Sequence, residues 1–128
     1  MTAELGPFVW TAIEAYKGSD GYFKNAWLTV HGENILASFD EDSVIIRPWG
    51  NGAEYPPKAF KPQPLGFTLL FDAGPKGKYE FNFTNHGDSP GLPIGKGLAK
   101  WFGTVEGGEV GAEKYSGGGM FEWLDLAI

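Results

Sequence analysis

Residues 65–88, LGFTLLFDAGPKGKYEFNFTNHGD, decide the fold. Two aromatic-rich runs, 67–71 and 79–84, flank the turn cluster DAGPKGK, which reads as a β-hairpin. In the second run Tyr79, Phe81 and Phe83 alternate with Lys78, Glu80, Asn82 and Thr84. Side chains in a strand alternate between faces, so three rings share one face and the polar groups share the other. The ringed face is core, and the polar face meets solvent or a ligand.

Working outward, the same pattern recurs. Residues 8–16 (FVWTAIEAY) form a strand followed by the turn KGSDG, and residues 26–31 (AWLTVH) alternate before Gly32-Glu-Asn34 turns the chain into residues 35–39. Residues 40–43 (DEDS) turn it again into VIIR at 44–47, the most β-prone run of the protein. Strands are also expected at 98–105, 110–115 and 120–126, with turns at 106–109 and a glycine-rich break at 116–119. The expected fold is all-β: a single antiparallel domain, sandwich or closed barrel, of about eight to nine short strands. Twenty glycines, nine prolines and twenty aromatic residues among 128 fit many short elements around an aromatic core.

Ten basic and 16 acidic residues leave a formal charge of −6, which disfavours nucleic acid and anionic membrane surfaces as partners. No cysteine is present, so disulfides, thiolate nucleophiles and thiolate-held zinc are excluded. Two histidines, His31 and His86, are too few for a histidine-rich metal site, and no cofactor fingerprint occurs, so neither metal nor cofactor is expected. The start of the chain lacks a basic region followed by an apolar run, and a cytoplasmic protein is the expectation.

Two irregular segments offer ligand-binding groups, because loops on a rigid sheet concentrate them. In Arg47-Pro-Trp-Gly-Asn-Gly-Ala-Glu-Tyr55, the indole of Trp49 stands near Asn51, Glu54 and Tyr55 at the start of a long proline-rich loop. A flat ring beside amide and carboxylate groups suits a sugar, whose C–H patch stacks while its hydroxyls hydrogen-bond. Asn82, Asn85, His86 and Asp88 form a second set where the hairpin opens into residues 86–97. Both sets also have a plainer reading, a tryptophan covering its own loop and a solvated strand face ending in a turn.

The leading expectation is therefore a lectin-like protein that binds glycan, or another neutral small molecule, at its loop rims. With no catalytic motif, an enzyme is the less favoured class. A homo-oligomer is compatible with the apolar terminal strand MFEWLDL and would add avidity. The alternative is a barrel holding an apolar small molecule, an isomerase or cyclase with an interior Asp, Glu or His as acid. Leu92-Pro-Ile94, Gly97 and Trp123-Leu-Asp125 are locally similar to the last strands of jacalin-type lectins. Phe121 stands where those lectins need glycine, and the galectin-like pair Trp49 and Glu54 lacks the accompanying His-Asn-Arg set, so no residue role carries over from either family.

Overall fold

The structure, a computed structural model, describes residues 1–16, 22–55, 64–86, 92–93 and 98–124. Its strands are β1 (Thr2–Leu5), β2 (Phe8–Tyr16), β3 (Tyr22–Val30), β4 (Glu33–Ser38), β5 (Val44–Trp49), β6 (Gly66–Asp72), β7 (Lys78–Asn85), β8 (Leu92–Pro93), β9 (Leu98–Glu109) and β10 (Tyr115–Leu124). The expected hairpin is β6–β7, paired in register from Gly66 opposite Thr84 to Asp72 opposite Lys78. Its turn closes through a 3-10 helix at Gly74–Lys76. Asp72 Oδ1 accepts from the Gly74 amide at 2.9 Å, and the Tyr79 hydroxyl donates to the Lys76 carbonyl at 2.8 Å. Tyr79, Phe81 and Phe83 are buried while Glu80 and Asn82 are exposed, as the alternation requires.

All ladders are antiparallel and form one curled sheet in the order β4-β3-β2-β1-β10-β9-β7-β6-β5, with β8 attached to β9. The fold is all-β and barrel-like, and among the described residues no α-helix occurs. The concave side holds a single aromatic cluster. Phe81 meets Phe8, Trp10 and Phe71 at centroid distances of 5.5–5.8 Å, and Phe67 stacks on Phe121 at 3.5 Å. Offset and edge contacts of this kind add to the burial term that holds the layers together.

Several boundaries differ from the sequence reading, each for a physical reason. β1 was not expected, because four residues are too few to show a period. Pro48 and Trp49 belong to β5 rather than to the loop. As β5 is the last strand of the sheet, a proline without an N–H is tolerated there. Residues 110–114 form the turn, while Glu106–Glu109 and the glycines at 117–119 lie within β9 and β10.

Most glycines of β9 and β10 sit where neighbouring backbone comes too near for a side chain, whereas Gly118 faces open space. A Cβ on Gly103 would fall 2.1 Å from the Thr84 carbonyl oxygen, and one on Gly117 2.2 Å from that of Glu4. Such close approaches let the sheet bend sharply. Gly103→Ala is accordingly expected to destabilise the protein by about 1–3 kcal/mol, the cost of overpacking. A urea titration checks it, and an unchanged midpoint would contradict the close approach.

Candidate functional site

β2 presents Phe8, Trp10 and Ala12 to the interior, and the next inward position is Glu14. Directly opposite in register on β3 stands Lys24, whose neighbours on that face are Ala26 and Leu28. The pair is sealed: the side chains are 3% and 7% exposed, and Lys24 Nζ lies 3.0 Å from Glu14 Oε1. A carboxylate and an ammonium are thus held inside an otherwise apolar wall, an arrangement that must be paired to persist.

The pair stands where the sheet curls round towards β5, whose outer edge no described strand covers. Side chains do that work instead. Lys24 Nζ donates to the Val44 carbonyl at 2.7 Å, while Arg47 Nη1 donates both to its own strand at the Ile46 carbonyl, 2.7 Å, and to Glu14 Oε2 at 2.9 Å. The Tyr55 hydroxyl donates to the same Glu14 oxygen, and the Arg47 guanidinium carbon sits 3.8 Å from the centre of the Tyr55 ring. Cation and ring hold each other in place. One carboxylate therefore meets two cations and a phenol, with Arg47 partly open to solvent at 42% side-chain exposure. Four residues along β2, the indole N–H of Trp10 is buried without a hydrogen-bond partner among the described residues.

The residues singled out from sequence divide between this seam and the opposite face. Trp49 lies on the outer face, its indole over Gly66, where a Cβ would fall 2.5 Å from the ring, and its N–H donates to Asn82 Oδ1 at 2.8 Å. Asn51 sits exposed at φ 55° in the turn after β5, and Glu54 is exposed beside it. Tyr55 of the first set reaches Glu14. Asn85 donates to the Pro64 carbonyl at 3.1 Å, His86 is exposed, and Asp88 lies outside the described residues. Trp49→Phe removes one half-exposed hydrogen bond and is expected to cost about 0.5–1.5 kcal/mol. Its check is thermal unfolding beside Asn82→Ala, the two losses failing to add because they share one bond.

Sequence reasoning passed over Glu14, Lys24 and Arg47. Glu14 reads as the polar end of a short apolar strand. Its only signal is parity, since it shares the phase of Phe8, Trp10 and Ala12 rather than that of Val9, Thr11 and Ile13.

No known protein family matches the chain. Two curated proteins are similar to it. The quinolone epoxide rearrangement protein asqO of Emericella nidulans is 34% identical over 121 residues, covering 92% of this chain and 32% of that protein. The quinolone epoxide rearrangement protein penF of Penicillium thymicola is 31% identical over 100 residues, covering 78% of this chain and 26% of that protein. The chain spans about a third or less of the length of these relatives. Their names overturn the lectin expectation: similarity extending over most of the chain connects it to proteins named for rearranging a small molecule, not for binding glycans. The physical reason for the misreading is that Trp49 and Asn82, read from sequence as sugar contacts, are hydrogen-bonded to each other.

Proposed function

We propose that this chain handles the proton in an acid-assisted rearrangement of a small, largely apolar molecule, with an aromatic epoxide as the substrate class and Glu14 and Tyr55 as the working groups. The observation that carries the reading is the sealed Glu14 carboxyl, bound by Tyr55, Lys24 and Arg47 at the open edge of an aromatic interior. The names of the two relatives support the same chemistry, as does the interior-acid alternative that the sequence allowed.

Opening an epoxide breaks one C–O bond, and the electron pair goes to oxygen. A donor beside that oxygen lowers the barrier, and cations nearby stabilise the charge that develops on it. Tyr55 supplies the proton while the Glu14 carboxylate holds its hydroxyl, and Arg47 is at hand to stabilise charge on the oxygen as the C–O bond breaks. The electron-poor carbon is then filled by migration of a neighbouring group, and the proton that the rearranged product loses passes through Glu14 back to the Tyr55 oxygen. Atoms and charge balance without an oxidant or reductant.

The test is incubation of the protein with aromatic epoxides, including quinolone epoxides, followed by chromatography and mass spectrometry for products of unchanged mass. Glu14→Gln is expected to lower the isomerisation rate by about 10²–10⁴-fold, the usual contribution of a positioned acid or base. Turnover that survives Glu14→Gln and Tyr55→Phe unchanged would sink the assignment.

A further inference from the structure

Trp10 holds a polar group that the packing of the core does not use. Its side chain has no exposed surface, the Phe71 and Phe81 rings lie against it at 5.6 Å, and among the described residues its indole N–H meets no acceptor. A buried tryptophan ordinarily pairs its N–H, and a donor left unpaired in an apolar interior is destabilising. Phenylalanine, which fills the same cluster at positions 8, 71 and 81, brings no such penalty. An indole kept in that place calls for an acceptor from outside the chain.

The wall beside it is shallow. Along the inner face of β2 the order is Trp10, Ala12, Glu14, and their partners on β3 are Leu28, Ala26 and Lys24. Between the indole and the Glu14–Lys24 pair the two strands therefore carry only the methyl groups of Ala12 and Ala26, and Ala3 stands opposite Trp10 on β1. The interior is also closed over β2 and β3 on one side without a backbone ladder. β5 packs there through side chains, with Lys24 on the Val44 carbonyl and Arg47 on Glu14, so that seam can part without breaking the sheet.

We propose that Trp10 is a substrate-binding residue, its indole N–H donating to a carbonyl oxygen of the substrate whose ring lies over Ala12 and Ala26. The inference rests on the acid-assisted rearrangement proposed for Glu14 and Tyr55. Four residues of strand set the Cα atoms of Trp10 and Glu14 about 13 Å apart, so the indole grips the substrate away from the bond that breaks. The acceptor is neutral, an amide or ketone rather than a carboxylate, because Ala3, Leu28, Phe71 and Phe81 around the indole offer no charge to balance an anion.

Titrating isotope-labelled protein with a quinolone that carries no epoxide reads the contact by NMR. The Trp10 indole N–H, assigned through its neighbours Phe71 and Phe81, is expected to move downfield, and naphthalene is expected not to move it in that direction. In turnover, Trp10→Phe is expected to raise KM for a quinolone epoxide about tenfold and leave kcat unchanged, the loss of one hydrogen bond made equally in ground and transition states. KM for stilbene oxide, which has no carbonyl, stays as in the wild type, whereas a merely structural role for Trp10 would alter both substrates alike. An indole resonance unmoved by the quinolone, or equal losses on the two epoxides, overturns the inference. A shifted indole in a protein that turns over no epoxide keeps Trp10 as a carbonyl-binding residue and removes the chemistry proposed for Glu14 and Tyr55.

Discussion

Glu14→Leu is expected to lower the unfolding free energy by about 3–5 kcal/mol, because it removes the carboxylate that lies 3.0 Å from the sealed Lys24 ammonium. Lys24 keeps the Val44 carbonyl, but a neutral oxygen does not replace a carboxylate 3.0 Å away. Arg47 suffers less, since its side chain is 42% exposed and water can take over. The double variant Glu14→Leu with Lys24→Met separates structure from chemistry. Replacing a buried ion pair by apolar groups of similar volume is often neutral or stabilising, so most of the loss is expected to be recovered. Chemical denaturation of the single and double variants measures this. A double variant as unstable as the single one would mean that the pair itself, rather than its completeness, holds the seam. A stable double variant without isomerase activity would place the Glu14–Lys24 pair in the reaction.

Phe81→Ala is the second large effect. Phe81 has no exposed surface and is ringed by Phe8 and Trp10 of β2 and Phe71 of β6. Removing the ring leaves a void that stiff neighbours on a pleated sheet cannot collapse to fill, and losses for such truncations run to about 3–5 kcal/mol. Phe81→Leu keeps most of the volume and is expected to cost clearly less. The comparison is read from unfolding midpoints at constant slope. Equal losses for the two variants would show that packing around Phe81 does not depend on filled volume.

What the sequence made legible follows from which residues obey a simple period. Tyr79, Phe81 and Phe83 announce their strand because alternation is uninterrupted and the turn before them carries Gly and Pro. Phe8 to Tyr16 is equally plain as a strand, yet its most consequential residue is hidden in it. A lone glutamate on the buried phase looks like noise until the cross-strand lysine and the arginine from β5 are seen around it. Those three lie at positions 14, 24 and 47, and nothing local joins them. The glycines of β9 and β10 misled in the other direction. Their composition signals a break, whereas all but Gly118 admit a neighbouring backbone. Trp49 and Asn82 were rightly placed near strand ends and polar faces, but no rule of spacing foretells that they bond to each other.

β1 joins two meanders, β2-β3-β4 on one side and the run from β10 to β5 on the other, and it is only four residues long. Its ladder to β2 closes a tight turn, whereas its ladder to β10 sets Thr2 opposite Met120 and must close all the chain between them into one loop. During synthesis, then, the early meander can assemble while the later strands are still being made, and the final zippering waits until β10 has emerged from the ribosome. Until that moment the β1 edge that pairs with β10 lacks its partner strand, and the chance of mispairing there is greatest in that interval.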